Sequence, residues 1–399
     1  MKPSSAIIIG GGIAGCSTAH ALALRGITVT LFERNASIAS EASGNPQAML
    51  YPRLSGNDDA SRFALESYRY SLNLFNSLNL NPAYLNVCGM LQLGFNPREL
   101  ARIQKVAAQN HADDILKYVD ADEASKLAGI GLTHDALYFP KAAWVNPQQL
   151  CQRLTAHDNI SLKTLINIDN LLKNNDLFEI YSNNKLMEKA DIVIIANANE
   201  AQNLGLNLYL KTQAVRGQVS MLTATNASQK LKSIICSDGY LSPADNGQHC
   251  LGATFSTENR ELTLNKEDHL ANLSKLKCFS NPLYENLKDN VQGGRVSFRC
   301  TSNDYFPLVG ELLDNVLLKS KPPRLNTKPA FLPWVKGLHI NVAHGSRGFT
   351  SAPYCAEILA QIICGETLSL NHEFISLLNP NRFLLRKLGL KQLAKMRYF

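Results

Sequence analysis

Three glycines and one acidic residue near the amino terminus have the types and spacing of a dinucleotide-binding site. Gly10, Gly12 and Gly15 form a Gly-x-Gly-x-x-Gly pattern, and Glu33 follows downstream. Glycines in this pattern let a turn be tight and let backbone amides approach a pyrophosphate, while the acidic residue can accept hydrogen bonds from ribose hydroxyls. The pattern therefore predicts a site for a dinucleotide cofactor.

A second glycine-rich turn lies near the other end of the chain. A strand over 337–342 is expected before it, and a helix that ends at Cys364, before Gly365, is expected after it. A nicotinamide enzyme usually needs only the first turn, whereas a flavin needs its ring held as well, and a helix N-terminus stabilises the negative charge that develops there on reduction. The two turns together favour FAD over NAD. The candidate cofactor ligands of the second turn are Gly345, Ser346, Arg347, Gly348, Phe349 and Thr350.

A polar loop and the end of an apolar strand supply further candidate cofactor ligands. The loop over 40–52 is too polar to form core by itself, so we expect it to lie over a ligand. The strand over 191–196 ends in small polar residues, which is typical of the edge of a nucleotide crevice. The candidates in these segments are Arg34, Ser43, Gly44, Asn45, Gln47, Ala196 and Asn197.

The first glycine turn needs a βαβ unit to position it. An apolar strand precedes Gly10, and a helix of small residues follows, with Ile13 and Ala14 as further candidate ligands at its start. A second strand over 27–32 ends on Glu33. Further helices are expected over 61–78, 98–110 and 146–154, strands over 89–93, 136–140, 215–221, 239–243 and 250–255, and a solvated basic loop over 319–333.

The chain length of 399 residues predicts two domains, because one core rarely fills so long a chain. Short strands and turns begin near residue 85. The chain returns to the nucleotide-binding domain near residue 144, and alternating strands resume after residue 211. The fold class expected is α/β (α+β overall). A discontinuous Rossmann-like FAD-binding domain would comprise 1–84, 144–210 and 299–399, and a substrate domain with a mixed or antiparallel sheet would comprise 85–143 and 211–298.

Composition and charge narrow the class of protein. Nine cysteines without a Cys-x-x-Cys pair or a His/Cys metal spacing favour buried thiols over disulfides, and no metal site is expected. No stretch is apolar for long enough to cross a bilayer and no signal-peptide pattern is present, so we expect a cytoplasmic protein without membrane contact. The net charge of +7 permits an acidic partner such as RNA.

Across essentially its whole length the sequence resembles the D-amino-acid oxidase and glycine oxidase superfamily. The resemblance is carried by the segment from Gly10 to Glu33, the Ser43-Gly44-Asn45 loop and the turn over 345–348. A closer resemblance is to the FAD-dependent C-terminal half of the MnmC family of bifunctional tRNA-modifying proteins. The stretches that carry it are 43–55, 215–220, 250–255, 294–310 and 344–353.

Two departures from that family are visible. Ala48 stands where the family's loop is expected to have glycine, which puts the fine placement of the flavin in question. The methyltransferase half has no counterpart in these residues. The sequence is compatible both with a stand-alone oxidase and with an excised domain. A methyltransferase would then be a separate partner or a fused domain outside this sequence.

The resemblance implies a reaction on tRNA with non-covalent FAD as cofactor. The carboxymethyl group of 5-carboxymethylaminomethyl-(2-thio)uridine at the wobble position would be removed oxidatively, giving 5-aminomethyl-(2-thio)uridine and glyoxylate. The reactive end of this substrate is in effect an N-substituted glycine. An oxidase of free glycine or sarcosine-like amino acids, which also acts on a CH–NH group, is the alternative. A flavoprotein that binds RNA without turnover is a third possibility.

Arg299 and Tyr240 are the candidate catalytic residues. The planar guanidinium of Arg299 suits a carboxylate, and its position matches the carboxylate-binding arginine of glycine oxidases. Tyr240 matches a substrate-pocket tyrosine of the same relatives. The alternatives are a surface arginine on an edge strand and a half-buried strand tyrosine.

Each of three other side chains near the expected site has two possible roles. Arg216 could contact substrate or flavin, or could be solvated. His344 could approach the flavin or be structural. Cys355 could attach the flavin, but we expect it to pack within its helix.

Two basic segments are candidates for contact with tRNA phosphates. Either they bind phosphates together or they are two solvated basic surfaces. The tail contributes Arg382, Arg386, Lys387, Lys391, Lys395 and Arg397, and the segment before it contributes Lys319, Lys321, Arg324 and Lys328.

Overall fold

The computed structural model describes residues 3–175, 177–324, 327–368 and 373–395. The strands within these ranges are β1 (Ser5–Ile9), β2 (Thr28–Phe32), β3 (Ala48–Leu50), β4 (Leu85–Asn86), β5 (Met90–Leu93), β6 (Lys117–Val119), β7 (Ala136–Phe139), β8 (Ala143–Val145), β9 (Ile160–Lys163), β10 (Asn170–Asn174), β11 (Leu177–Ser182), β12 (Lys185–Ala190), β13 (Val193–Ile195), β14 (Thr212–Thr223), β15 (Ile234–Cys236), β16 (Tyr240–Leu241), β17 (Gln248–Gly252), β18 (Val291–Ser302), β19 (Leu308–Leu313) and β20 (Trp334–Val342). The helices are α1 (Ile13–Ala23), α2 (Asp59–Ser77), α3 (Pro97–Ala107), α4 (Ala121–Ala128), α5 (Pro147–Thr155), α6 (Lys266–Phe279), α7 (Asn281–Leu287), α8 (Asn315–Ser320), α9 (Gly348–Cys364), α10 (Glu373–Leu378), α11 (Arg382–Lys387) and α12 (Lys391–Lys395).

The chain forms two compact units whose boundaries differ from the expected domains over 45–84 and, by four residues each, over 144–147 and 211–214. The first unit comprises Met1–Gly44, Gln148–Ala214 and Arg299–Phe399, and the second comprises Asn45–Pro147 and Val215–Phe298. Residues 45–84, expected in the FAD-binding domain, therefore lie in the second unit. Their strand β3 pairs with β8, which also pairs with β4, and α2 shares an apolar core with β7 and β8. The identification of the units as FAD-binding and substrate domains stays a prediction.

The first unit contains a six-stranded sheet of the dinucleotide-binding type. Its order is β19-β20-β13-β1-β2-β9, and all neighbours are parallel except β19 and β20. The apolar run Ile7, Ile8 and Ile9 is buried throughout, as expected where both faces of a parallel sheet are covered. Helices α1 and α9 pack against each other. Because carboxyl ends of parallel neighbours meet at one edge, the segments after β1, β13 and β20 lie together.

The second unit contains an eight-stranded mixed sheet. Its order is β18-β14-β17-β16-β15-β5-β7-β6. Strands β15 and β5 are parallel, and the pairs β14–β17, β17–β16, β16–β15, β5–β7 and β7–β6 are antiparallel. Leu91 and Leu93 pack into a core with α4, α6 and α7, whereas Met90 faces a second core that includes Trp144. The sequence-based fold class, a Rossmann-like sheet plus a mixed sheet, is confirmed. The strand expected over 250–255 is β17, which begins and ends slightly earlier.

A small apolar core joins the tail to the segment expected to be a solvated loop. That segment begins with the last turn of α8, and its Leu332 is buried. The members of this core are Leu313, Leu318, Leu332, Leu384, Leu385, Leu390, Leu393 and Ala394, and Tyr209, Trp334 and Leu388 pack against it. Lys319 and the described basic residues of the tail are therefore carried by helices with a common core, whereas Lys321, Arg324 and Lys328 lie outside the helices.

Arg382, a candidate phosphate ligand, has a structural role instead. Its side chain is buried and binds Asp304 through two hydrogen bonds, Nε to Oδ2 at 2.9 Å and Nη2 to Oδ1 at 2.6 Å. The guanidinium also donates to the carbonyl oxygens of Phe306 and Pro307. Burial opposes the charge on Asp304, but the hydrogen bonds and the charge of Arg382, together with hydrogen bonds from Ser302 and the Phe306 amide, lower the pKa of that carboxyl. Arg397 lies outside the described residues.

No helix among the described residues is long and apolar enough to cross a membrane. The nine cysteines all lie in the described ranges and all are free thiols. The described residues also hold no group of three or more His, Cys, Asp or Glu side chains that could bind a metal ion.

Candidate cofactor and substrate site

The first glycine turn leaves no room for side chains where the strand, the turn and the helix meet. Gly10 has a φ of +108°, and a Cβ there would lie 2.8 Å from the backbone of Ala196. A Cβ on Gly15 would lie 1.9 Å from the carbonyl oxygen of Gly10. Helix α1 is therefore held close to β1 and to the end of β13, as the Gly-x-Gly-x-x-Gly pattern predicts.

The N-terminus of α1 faces open space at Gly12. A Cβ on Gly12 would meet one atom within 4 Å among the described residues, Ser43 Oγ at 3.2 Å. Ser43 Oγ also accepts a hydrogen bond from the backbone amide of Ile13 at 3.1 Å. Ala14 lies in the same first turn, where backbone amides have no partner within the helix. Such a helix end carries partial positive charge and suits a pyrophosphate.

Glu33 is buried at the end of β2 and fixes the shape of the turn. Its Oε2 accepts from the Gly11 amide at 2.8 Å, and its Oε1 accepts from the Asn35 amide at 2.7 Å. Oε1 also accepts from Asn35 Nδ2 at 2.8 Å. Because a carboxylate oxygen can accept about two hydrogen bonds, Oε2 retains capacity for a ribose hydroxyl. The neighbouring Arg34 forms an exposed ion pair with Glu41 at 2.6 Å, which raises the pKa of the guanidinium.

The end of β13 places an unpaired polar atom beside this turn. The Ala196 amide donates to the carbonyl oxygen of Ile9 at 2.8 Å, which aligns the ends of β13 and β1. Asn197 follows, and its Oδ1 is buried without a hydrogen-bond partner among the described residues. A buried acceptor of this kind is costly unless a ligand or water donates to it. The residues around the first turn therefore fit a dinucleotide cofactor.

The second glycine turn brings another helix N-terminus to the same place. A short 3₁₀ turn over Gly345–Arg347 leads from β20 into α9, which begins at Gly348. A Cβ on Gly348 would lie 3.2 Å from the side chain of Ile13, the first residue of α1. Of the other candidates in this segment, Ser346 and Arg347 are exposed, and Phe349 and Thr350 are buried in the first turn of α9. The two helix N-termini are therefore adjacent.

A chain of buried hydrogen bonds connects the two turns. The Thr18 hydroxyl on α1 donates to the Ala14 carbonyl oxygen at 2.7 Å and accepts from Asn341 Nδ2 at 3.1 Å. Asn341 Oδ1 therefore faces His344 Nε2, 2.9 Å away. Since that oxygen can only accept, His344 carries a proton on Nε2. Its Nδ1 lies 2.9 Å from the Ser351 hydroxyl, which donates to the Arg347 carbonyl oxygen at 3.1 Å.

His344 is neutral in this chain. Burial lowers the pKa of its imidazole to about 3, because the charged form would lose its hydration. His344 therefore holds the second turn in place, which is the structural one of its two possible roles.

Arg299 lies on the strand that reaches the second turn. Two residues along β18, Thr301 forms an antiparallel bridge with His344, and its Cγ2 lies 3.2 Å from where a Gly345 Cβ would be. Side chains alternate along a strand, so Arg299 projects from the same side of β18 as Thr301. Between them Cys300 is buried, which raises the pKa of its thiol to about 12. The role of Arg299 as a carboxylate ligand stays a prediction.

Four candidates remain. Gly44 lies in the first unit, where its amide donates to the Glu41 carbonyl oxygen at 2.9 Å, and the other three lie in the second unit. Asn45 Oδ1 accepts from Arg295 Nη1 at 3.3 Å. Gln47 is buried, its Nε2 donates to the Pro243 carbonyl oxygen at 3.1 Å, and the Ser242 hydroxyl donates to its Oε1. The Tyr240 hydroxyl lies 3.6 Å from Cys250 Sγ. The amide of Gln47 is thus already engaged within its own unit, and the cofactor and substrate roles of these residues are untested.

Arg216 is neither solvated nor free to bind a ligand. It is 1% exposed and pairs with Asp268, while Nε donates to the Glu261 carbonyl oxygen at 2.7 Å and Nη2 to that of Thr263 at 2.9 Å. All of these partners belong to the second unit, so Arg216 fixes the segment before α6. Cys355 is fully buried within α9, which raises the pKa of its thiol.

Sequence reasoning missed the pair Thr18 and Asn341. The available signals were weak: a threonine in a helix of small residues and a single asparagine inside the apolar strand over 337–342. A buried polar residue in such a strand needs a partner, but nothing in the sequence indicates that the partner lies on α1.

Comparison with known proteins gives one family match over most of the chain. The family "FAD dependent oxidoreductase" (DAO) matches residues 5–362. A curated relative from Methylobacillus flagellatus, the "tRNA 5-methylaminomethyl-2-thiouridine biosynthesis bifunctional protein MnmC", is 42% identical over 99% of this chain and 61% of its own length. The protein of the same name from Chromobacterium violaceum is 37% identical over 97% of this chain and 60% of its own. The chain spans about three fifths of the length of these relatives.

Solved structures share the fold at low sequence identity. Glycine oxidase from Geobacillus kaustophilus aligns with a TM-score of 0.76 and 18% identity, covering 95% of this chain and 99% of its own. L-proline dehydrogenase from P. horikoshii aligns with a TM-score of 0.77 and 19% identity, covering 96% of this chain and 98% of its own. At these identities the likeness establishes the fold alone.

Gly12→Ala should weaken FAD binding without affecting folding. The new Cβ would occupy the space in front of α1, where the φ of Gly12 of −76° suits alanine. We expect FAD affinity, measured by flavin fluorescence titration, to fall about tenfold or more, equivalent to about 1.4 kcal/mol. Gly131→Ala, at an exposed glycine with no atom within 4 Å of the new Cβ, is the matched control. Equal FAD affinity in both variants would contradict the placement of FAD at the N-terminus of α1.

His344 should make stability depend on pH. The unfolded chain takes up a proton near the ordinary histidine pKa of about 6.5, whereas the folded protein does so only near pH 3. The stabilisation is therefore complete above pH 6.5 and is lost as the pH falls from 6.5 towards 3. His344→Gln, which keeps a donor and an acceptor, should show a shallower fall in the free energy of unfolding between pH 6 and 4, by up to about 1.4 kcal/mol per pH unit. Identical slopes in urea denaturation would refute this assignment.

Proposed function

Because this chain belongs to the DAO family of FAD-dependent oxidoreductases, we propose that it oxidises a glycine-like group on a tRNA wobble uridine. The substrate would be 5-carboxymethylaminomethyl-(2-thio)uridine, and the products 5-aminomethyl-(2-thio)uridine and glyoxylate. The bond oxidised is a CH–NH bond.

The observation that carries this proposal is the match to bifunctional tRNA-modifying proteins over nearly the whole chain. The Methylobacillus flagellatus relative is 42% identical over 397 residues, and its name assigns it to the biosynthesis of a modified uridine in tRNA. The matching part belongs to an oxidoreductase family, so we assign to this chain the oxidative step of that biosynthesis. We do not assign it methyl transfer, for which a partner or a fused domain would be needed.

The proposed reaction balances with FAD as the two-electron acceptor. FAD, when bound, would supply the two-electron acceptor for the hydride that leaves the carbon between the substrate nitrogen and its carboxylate. The nitrogen lone pair forms the C=N bond as the C–H bond breaks, and water then adds to that carbon. The C–N bond breaks, releasing glyoxylate and the aminomethyl nucleoside. This chemistry needs a neutral amine and accurate positioning more than a side-chain base.

The chain's own residues would supply that positioning. Arg299 would hold the substrate carboxylate through its guanidinium. The N-terminus of α1, with Ser43 and Glu33 beside it, would hold the pyrophosphate and a ribose. The N-terminus of α9 adds partial positive charge in the same place, which favours the reduced cofactor. A tRNA substrate is met in the cytoplasm, where we propose that the protein acts.

Mass spectrometry of tRNA nucleosides tests the proposed reaction. The FAD-loaded protein is incubated with tRNA that carries the carboxymethylaminomethyl group, and in parallel with free glycine and with sarcosine. We expect conversion to the aminomethyl nucleoside and release of glyoxylate. Flavin bleaching by glycine with unchanged tRNA would instead identify an oxidase of free amino acids. A flavin that none of these substrates reduces would contradict both activities.

Variants at Arg299 serve as an internal arm of that experiment. Loss of a carboxylate-binding guanidinium should cost about 2 to 5 kcal/mol, so Arg299→Ala should lower kcat/KM for tRNA about thirtyfold or more. FAD content should not change. Arg299→Lys keeps the charge but loses the bidentate geometry, so its kcat/KM should lie between those of the wild-type protein and Arg299→Ala. Unchanged kinetics in Arg299→Ala would remove this residue from the site.

A further inference from the structure

Three lysines surround one aromatic side chain on the first unit. The Nζ atoms of Lys387, Lys211 and Lys319 lie 4.9, 5.2 and 5.7 Å from the ring centre of Tyr209. All three lysines are exposed, and Tyr209 is half-buried. We call these four residues the basic platform.

The basic platform is a concentration of uncompensated charge. None of its lysines forms an ion pair with a carboxylate in the part of the chain that the structure describes. Each ammonium group is attracted to the face of the tyrosine ring, worth about 0.5 to 1 kcal/mol at an exposed site, whereas the three ammonium groups repel one another. An anion that binds between them would relieve this repulsion.

The platform is also rigid, because its members are held by the small core shared by α8, α11 and α12. Tyr209 packs against that core, Lys319 lies on α8 and Lys387 lies on α11. Asn315 at the start of α8 donates to the Asn207 carbonyl oxygen at 2.6 Å, which fixes α8 to the segment carrying Tyr209. Lysines presented in this way need less ordering on binding than lysines on independent loops.

The platform adjoins the strand that carries Arg299. The Asn303 amide donates to the Lys211 carbonyl oxygen at 3.2 Å, and Thr301 Oγ1 donates to the Gln213 carbonyl oxygen at 3.2 Å. Arg299 lies on β18, four residues before Asn303, which directly follows the strand; this is about 13 Å of extended chain. The platform therefore lies within reach of a polymer whose reacting group is held at Arg299.

We propose that the basic platform binds the phosphate backbone of the tRNA beside its target nucleotide. This inference rests on the proposed function. A nucleic acid presents a row of phosphates, which three fixed ammonium groups can contact together, and the ring of Tyr209 can pack on sugar or base. Lys391 and Lys395, exposed on α12, extend the positive surface.

Salt-dependent binding of the substrate tRNA tests the platform. In the triple variant Lys211→Gln, Lys319→Gln and Lys387→Gln, the slope of log K against log salt concentration should decrease in magnitude by about 2 to 3. The KM for tRNA should rise about tenfold or more. Activity on the isolated carboxymethylaminomethyl-uridine nucleoside should not change, because the platform lies outside the reacting groups.

A charge-matched control separates local from overall charge. The control triple variant changes Lys173, Lys185 and Lys336 to Gln, at exposed lysines of the same unit on β10, β12 and β20. If the platform variant loses no more tRNA affinity than the control variant, or if its salt slope is unchanged, the proposal that the platform binds tRNA is wrong. If the wild-type protein converts tRNA and the platform variant converts it equally well, only this inference fails. If the wild-type protein leaves tRNA unconverted, the proposed function fails first.

Discussion

The close approach of two helix N-termini is the constraint on which the rest of this structure depends. Gly348 at the start of α9 lies against Ile13 at the start of α1, and the buried hydrogen bonds from Thr18 through Asn341 to His344 connect the two helices. A buried polar network is stable only when every member is paired, so neither turn can shift without leaving an unpaired group. Two partial positive charges are thereby held together at the carboxyl edge of a parallel sheet.

That constraint explains what the first unit offers to a flavin dinucleotide. The open space at Gly12, the carboxylate of Glu33 and the unpaired Oδ1 of Asn197 surround the first turn, and the second turn adds the end of α9. Strand β18 meets the second turn at Thr301 and carries Arg299 two residues away. The same helix ends and strand ends that position the cofactor ligands therefore also position the candidate substrate ligand.

Much of this arrangement could be predicted from the sequence because local patterns determine it. The glycine spacing and the apolar strands specify the first turn, and a strand that leads into Gly345 specifies the second. Non-local contacts were not predictable. Residues 45–84 join the second unit through the pairing of the short strand β3 with β8 and through the contact of α2 with an apolar core of that unit. Arg382 has the sequence context of a solvated tail, yet its burial depends on Asp304, and the lysines around Tyr209 are brought together by a shared core.

The most direct test of the two-turn account is a titration of the purified protein with FAD and with FMN, followed by flavin fluorescence and absorbance. Because one turn is assigned to the pyrophosphate and the other to the flavin ring, the account predicts one FAD per chain. It also predicts that FMN, which lacks the adenylate half, binds much more weakly. A colourless protein that does not take up FAD, or one that binds FMN as tightly as FAD, would contradict it.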